Sequence, residues 1–184
     1  MLIFTACSSK NSEANTPFLK LEFEQNATIL QKVKNEFKTN GDEFLEKYFA
    51  VWNLEKPKNK FAFQKLKIEA FWGLNYTNNP SARFDEFGRN HDENFLNSIK
   101  FNANQDNFGA VWQPAITTQN ALLRNIPSHT PIYGDPSKAG EGYPFDYGAN
   151  SALSVGYPLL VSHFSKDGEW AFVQNDTVWG WIKS

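Results

Sequence analysis

The sequence predicts an α+β protein in which an N-terminal helical clip packs on a small β-barrel. In the first half of the chain, apolar residues recur every three or four positions, as they do on one face of a helix. From about Trp112 onward, short apolar runs are separated by Gly, Pro, Asn and Asp, which is the pattern of a small all-β unit. We therefore expect helices in residues 18–111 and strands in residues 112–184.

Composition limits the functions that such a chain can have. Of its 184 residues, 41% are hydrophobic and 16% aromatic, so the chain can build a core. The formal net charge of -2 gives no basic stripe for a phosphate backbone, and nucleic acid is not an expected partner. The single cysteine, Cys7, excludes an intrachain disulfide and a Cys-rich zinc site.

Residues 1–17 predict a shortened lipoprotein signal and a tether. The segment "FTAC", ending at Cys7, resembles the lipobox of bacterial lipoproteins, in which the cysteine carries the lipid. The small polar residues that follow, up to Pro17, suit a tether. The alternative is an incidental terminal cysteine. No run approaches the roughly 20 apolar residues of a membrane-spanning helix, so membrane contact is expected only through a lipid on Cys7.

Four helices are predicted in the helical half. The first follows an N-cap at Asn26 and stops at Asn40, and the second begins near Asp42. The third ends at Gly73, and the fourth runs from Asp92 to Ala103. In chain order, the apolar positions expected to face inward are Ile29, Leu30, Val33 and Phe37; Phe44, Leu45, Tyr48, Phe49 and Trp52; Phe63, Leu66 and Ala70; Phe95, Leu96 and Ile99.

Five strands are predicted in the second half, at residues 114–118, 121–127, 157–165, 169–175 and 178–184. Gly168 supplies the positive φ of a tight hairpin between the third and the fourth. About five strands and one long loop make an SH3-like barrel. Trp179 and Trp181 share a strand face, which either binds sugar rings or, as we favour, packs against the helices.

The long loop contains "GEGYPFDYGANSAL", residues 140–153. Its glycines and proline exclude a helix, whereas its three aromatic residues are untypical of a disordered linker. We therefore predict an ordered loop. Ordered aromatic loops are often recognition surfaces.

These motifs carry a resemblance to a known family. The segments "LLRNIP", "GEGYPFDY", "SKDGEW" and "GWI", in order within residues 115–182, resemble the bacterial SH3-like domain of multidomain NlpC-type peptidoglycan endopeptidases. The helical part, with "YFAVWN" at residues 48–53, is similar to the N-terminal stabilising region of the same proteins. The resemblance implies a protein of the bacterial cell envelope, lipid-anchored and periplasmic.

The resemblance also implies a reaction that this chain is not expected to perform alone. Members cleave the peptidoglycan stem peptide next to γ-D-glutamate with a Cys-His pair in a domain that follows the SH3-like part. Nucleophilic catalysis needs a cysteine within hydrogen-bond reach of its base. Cys7 lies in the lipobox, and the sequence ends at Ser184, before such a domain. We therefore expect no catalytic residue in this chain.

No other group of residues predicts catalysis, a metal or a cofactor. His91, His129 and His163 do not have the spacing of a zinc site. His163 is either a base beside a groove or, as we favour, a hydrogen-bonded strand residue. Asp85 and Glu86 cannot be assigned as an acid and base pair from the sequence alone.

The loop residues are therefore candidates for binding a stem peptide, with these roles: walls, Tyr143, Phe145 and Tyr147; an acceptor for a peptide amine, Glu141 or Asp146; a partner for a carboxylate or amide, Asn150 or Arg124. The alternative is that Phe145 and one tyrosine plug the core and Asp146 caps a turn.

Three functions remain open at this point. The chain is a cell-wall recognition module of a lipid-anchored envelope protein, or it positions substrate for an NlpC-type catalytic domain on a separate or missing segment. The third possibility is a protein-protein adaptor.

Overall fold

The computed structural model describes residues 40–184. The predicted lipobox at Cys7, the tether and the first predicted helix lie outside the described residues. None of the helices in the described range is long and apolar enough to span a lipid bilayer.

The helical part contains three α-helices among the described residues: α1, Gly41–Tyr48; α2, Lys60–Ala70; and α3, Glu93–Asn102. Each begins after a polar residue that caps its N-terminus. The side chains of Asn40, Asn59 and Asp92 accept hydrogen bonds from backbone N–H groups of the first turn, at 3.2, 3.0 and 2.7 Å. Short 3₁₀ turns follow α1 and α2 and surround α3: Ala50–Asn53, Phe71–Thr77, Pro80–Ala82 and Gln105–Asn107.

Two details of the predicted helices are wrong. The third helix ends at Ala70, and Gly73 lies inside the following 3₁₀ turn. Gly73 has a packing role instead, because a Cβ there would lie 2.6 Å from the backbone oxygen of Asn125. In α1, Phe44 and Leu45 are more than half exposed rather than inward.

Six antiparallel strands form the second half: β1, Gln113–Ile116; β2, Ala121–Arg124; β3, Ala149–Leu153; β4, Pro158–Phe164; β5, Trp170–Gln174; and β6, Trp179–Lys183. They are ordered β1-β4-β5-β6-β2-β3. Gly168, with φ of 74°, turns the chain from β4 to β5, as predicted.

Strand β3 contradicts the prediction of a loop through residues 140–153. Only Leu153 of its five residues is buried, and the segment pairs with β2 at the edge of the sheet. An edge strand with such polar, exposed side chains has no alternating apolar signal, so its sequence is indistinguishable from a loop.

The two edge strands meet where the sheet curls into a barrel. Thr117, directly after β1, donates its hydroxyl to the backbone oxygen of Ser154 at 2.7 Å. The N–H of Gly156 donates to the backbone oxygen of Thr117 at 2.8 Å. These contacts join β1 to the end of β3 and confirm the predicted α+β fold with an SH3-like barrel.

An aromatic core joins the helical part to the barrel. The ring of Phe71, just after α2, stacks on Phe172 of β5 with centroids 4.6 Å apart. Phe108 lies 5.4 Å from Trp179, which in turn stacks on Phe172. Trp179 and Trp181 are both buried. The predicted packing of these tryptophans against the helical part is therefore confirmed, which leaves no exposed tryptophan pair for sugar rings.

Candidate functional site

The aromatic loop, residues 131–148, connects β2 to β3 and carries most of the predicted binding residues. It is attached to the helical part by two backbone hydrogen bonds between Phe84 and Tyr133, at 3.0 and 2.9 Å. Residues from both halves of the chain therefore meet at this loop.

A buried ion pair holds the loop against the barrel. Arg124, at the end of β2, donates from Nη1 to Oδ2 of Asp146 at 2.7 Å, and the two side chains are only 7% and 15% exposed. The other carboxylate oxygen, Oδ1, accepts from the backbone N–H groups of Ile132 and Gly148 at 2.9 and 2.7 Å. Both oxygens of Asp146 thus already have protein partners.

Arg124 is equally occupied. Its Nε donates to the backbone oxygen of Ser128 at 3.0 Å, and its Nη2 donates to that of Thr130 at 3.3 Å. Gly148 lies against the guanidinium, since a Cβ there would be 2.5 Å from Nη2. Arg124 and Asp146 therefore position the loop, and their arrangement presents no free charge to a ligand.

Tyr147 forms the centre of a stacked arrangement that crosses from the loop to the helical part. Its ring lies 4.8 Å from that of Tyr76 at an interplanar angle of 23°. The guanidinium of Arg83 lies 5.7 Å from the Tyr147 ring and 6.0 Å from the Tyr76 ring. Arg83 is fixed by donating from Nε to the backbone oxygen of Tyr76 at 2.8 Å.

The hydroxyl of Tyr147 donates to Oε2 of Glu141. This hydrogen bond, together with burial, raises the pKa of the Tyr147 hydroxyl, which stays protonated at neutral pH. Gly134 makes room for the pair, because a Cβ there would lie 1.9 Å from Oε2. Within residues 40–184, the second carboxylate oxygen of Glu141 has no hydrogen-bond partner.

Two aromatic side chains of the loop face solvent. Tyr143 is 74% exposed and Phe145 is 54% exposed, so Phe145 does not plug the core. Tyr133 is buried, and its ring lies 6.0 Å from that of Tyr143 in an edge-on arrangement. Burial raises the pKa of the Tyr133 hydroxyl.

Asn150 is the second residue of β3. Its amide donates to Oδ1 of Asn125 at 2.8 Å. The Asn125 amide in turn donates to the backbone oxygens of Tyr147 and Ala149, at 2.8 and 3.0 Å. The two asparagines thus bridge β2, the end of the loop and β3.

The histidines do not form a catalytic group. His163 is buried on β4, and its ring nitrogens contact the backbone oxygen of Ala103 and the hydroxyl of Ser162, at 3.0 and 3.1 Å. His91 contacts the backbone oxygen of Pro131, and His129 packs on Trp170. The favoured interpretation of His163 as a hydrogen-bonded strand residue is confirmed.

Asp85 has a local structural role. Its carboxylate accepts hydrogen bonds from the backbone N–H groups of Phe87 and Arg89 and from the Arg89 side chain, at 2.9, 2.9 and 2.8 Å. It closes the turn between Phe84 and Asn90, which form an isolated β-bridge. Among the described residues there is no cluster of three or more metal-binding side chains.

Two protein-family models match the chain. A family model described as the NLPC_P60 stabilising domain, N term, matches residues 1–108, which is more than half of the chain. The chain belongs to the NlpC/P60 family. A second model, SH3 domain of the SH3b1 type, matches residues 131–183. In this NlpC/P60 chain, Tyr76 and Arg83 therefore lie in the region that matches the stabilising domain. Glu141 and Tyr147 lie in the region that matches the SH3 domain.

A solved NlpC/P60 endopeptidase from Photobacterium damselae subsp. piscicida is similar to this NlpC/P60 chain. The TM-score is 0.63 and the sequence identity 26%, and the match covers 77% of this chain. The chain spans about a third of that endopeptidase, of which 34% is covered. No curated protein matches the chain.

Sequence reasoning missed the residues that the helical part contributes. Tyr76 and Arg83 lie more than 50 positions before Tyr147, in a stretch with no motif of its own. Gly134 and Asn125 were missed for a similar reason, since a close backbone approach and a bridging amide have no sequence signature. The aromatic character of the loop was the one signal available.

Proposed function

We propose that this chain is the cell-wall recognition part of an NlpC/P60 protein and that it binds the peptidoglycan stem peptide at the aromatic loop. Family membership supports association with peptidoglycan, and the similar solved protein is an endopeptidase. The observation that carries the proposal is the exposure of Tyr143 and Phe145 on a loop that a buried ion pair holds in place. Preorganised aromatic side chains bind with little loss of conformational entropy.

The polar groups of the aromatic loop and of the start of β3 match the chemistry of a short peptide. In the proposal, Glu141 accepts the peptide amine with its second carboxylate oxygen, and Tyr147 keeps that carboxylate in place. Asn150 meets an amide or carboxylate of the ligand through its carbonyl oxygen or remaining N–H. Asp146, predicted as a direct ligand, is assigned a positioning role because both of its oxygens have protein partners.

We also propose how the chain is attached to the membrane and how it is divided into domains. A lipid on Cys7 attaches the chain to the cell envelope on the periplasmic side, with residues 1–17 as signal and tether. Residues 18–111 form the stabilising region and residues 112–184 the SH3-like barrel. The similarity to an endopeptidase supports a second candidate function, in which the same surface positions substrate for an NlpC-type catalytic domain.

Titration of the full chain with an L-Ala-γ-D-Glu-diamino acid tripeptide tests the proposal, using calorimetry and a parallel assay for peptide release. We expect saturable binding without release, weakened roughly ten-fold by Tyr143→Ala, as is typical of an aromatic contact residue. The matched control is Phe87→Ala, which removes an aromatic ring that is 72% exposed outside the loop.

Each other outcome assigns a different function. Binding that appears only after a separate NlpC-type catalytic domain is added supports the substrate-positioning candidate. A complete lack of affinity under both conditions rejects stem-peptide recognition and leaves the adaptor. Equal weakening by Phe87→Ala and Tyr143→Ala also rejects the assignment of the site to the aromatic loop.

A further inference from the structure

A second concave surface lies between α2 and α3, and none of its residues belongs to the aromatic loop surface. It consists of two adjoining pockets of about 340 and 350 Å³. Both pockets are lined by Lys67, Lys100 and Gln105. Lys166, from the turn between β4 and β5, lines the second. We call this surface the lysine pocket.

The lysine pocket concentrates positive charge on a chain whose net charge is -2. The side chain of Lys67 is only 21% exposed. The nearest carboxylate to Lys67 is Asp106, which is 3.8 Å away and projects fully into solvent. Within residues 40–184, neither Lys100 nor Lys166 has a carboxylate partner within 4 Å. Three ammonium groups thus face one weakly coupled carboxylate.

An anion entering this pocket would gain more than one at an open surface. The Lys67 side chain is mostly covered by the protein, so a charge-assisted hydrogen bond to it is stronger than one formed in bulk solvent. Lys166 places its Nζ 3.4 Å above the ring of Phe101, and this contact holds the cation at the rim of the pocket.

The remaining lining residues indicate which other chemical groups a ligand of this pocket would carry. Four amide side chains, which can both donate and accept, line the first pocket: Gln64, Asn75, Asn78 and Gln105. Ile68 and Phe71 add an apolar side. Amides suit hydroxyl groups and an apolar side suits the C–H face of a sugar ring, whereas a bare phosphate would leave most of the volume unfilled.

Helix electrostatics account for only part of this arrangement. Lys67 and Lys100 lie in the last turns of α2 and α3, where a cation is stabilised by the helix dipole. That effect explains one lysine for each helix. It does not explain Lys166, which comes from a β-turn, or the amides that line the same volume.

We propose that the lysine pocket binds a saccharide that carries one anionic group, a phosphate or a carboxylate. The lysines bind the anion, the amides bind hydroxyl groups, and Ile68 and Phe71 contact the ring. The site is independent of the stem-peptide surface, so each can be lost while the other remains.

Nuclear magnetic resonance titration of the full chain tests the proposal with four probes: glucose 6-phosphate, glucuronate, glucose and inorganic phosphate. We expect at least one anionic sugar to bind saturably and more tightly than glucose or phosphate, with shifts of the amide signals of residues 64–78 and 100–106. Comparing the two anionic sugars identifies the preferred anionic group.

Charge-removing variants assign the binding to the pocket. Lys67→Met removes the charge but keeps an aliphatic side chain of similar length. Lys166 is exposed, so Lys166→Gln is not expected to disturb folding. Each should weaken anionic sugar binding by about ten-fold, the loss of one charge-assisted contact. The control Lys65→Gln removes the same charge from α2 outside the pocket, next to Glu69, and should leave binding unchanged.

Three results would overturn the proposal. The first is no saturable binding of either anionic sugar by the folded protein. The second is inorganic phosphate binding as tightly as glucose 6-phosphate with glucuronate not bound, which removes the sugar from the site. The third is a loss of affinity in Lys65→Gln equal to that in Lys67→Met, which indicates attraction by net charge alone.

Discussion

His163 shows how one polar side chain is accommodated in the core between the helical part and the barrel. The backbone oxygen of Ala103 can only accept, so Nε2 of His163 carries a hydrogen. Ser162 accepts from the N–H of Gly109 at 2.8 Å and can donate its own hydrogen to Nδ1. The neutral imidazole therefore satisfies every partner, and burial lowers the pKa of His163.

This lowered pKa predicts a loss of stability in acid. The unfolded chain takes up a proton on His163 near pH 6.5, whereas the folded protein does so only at lower pH. The stabilisation is thus present above about pH 6.5 and is lost as the pH falls through the folded pKa. His163→Gln should reduce the decrease in unfolding free energy between pH 7.5 and pH 5, measured by urea denaturation. A pH dependence identical to that of the wild type would contradict this assignment.

For single residues, the sequence predicts exposure and structural roles better than it predicts the partner of a charged side chain. Exposure of Tyr143 and Phe145 agrees with the predicted aromatic surface, and His163 was correctly favoured as structural. Asp146 was predicted to meet a ligand, yet Arg124 and two backbone groups occupy it. A carboxylate's partner depends on the fold, which brings together residues 22 positions apart.

Among the elements, the aromatic loop depends on the Arg124–Asp146 ion pair for its position. Removing one partner leaves the other charge buried without compensation. Asp146→Asn should therefore lower the unfolding free energy by roughly 2–4 kcal/mol and increase hydrogen exchange in residues 131–148.

An exposed ion pair provides the control for this substitution. Glu169 pairs with Lys183, but both side chains are at least half exposed. Glu169→Gln should therefore change stability by less than about 1 kcal/mol. A similar small effect of Asp146→Asn, with unchanged exchange in the loop, would show that the buried ion pair does not hold it.

Elements with a local signal were predicted well, and those without one were missed. The start of α3 at Asp92 and the turn at Gly168 follow from capping and backbone geometry, which act within a few residues. Strand β3 depends on pairing with β2, and its polar residues carry no strand pattern. Gly73 was interpreted as a helix end because its contact with Asn125 is non-local.

For the whole molecule, the shared aromatic core makes the helical part and the barrel unfold together. Phe71 is buried and stacks on Phe172, so Phe71→Ala should cost about 3–5 kcal/mol. Tryptophan fluorescence and far-ultraviolet circular dichroism should report one coincident transition in the wild type and the variant. The control Phe87→Ala, at an exposed site, should change stability by less than about 0.5 kcal/mol. Two separate transitions in the wild type would show that the parts unfold independently.

The backbone pairing of Phe84 with Tyr133 has a consequence for how such proteins diversify. Tyr76 and Arg83 from one region complete the stack whose other half, Tyr147, belongs to the next region. Recombination that transfers the barrel alone would separate Tyr147 from Tyr76 and Arg83. The smallest exchangeable unit is therefore larger than the barrel: it includes residues 71–91 and extends through β6, and an acceptor protein must receive both segments together.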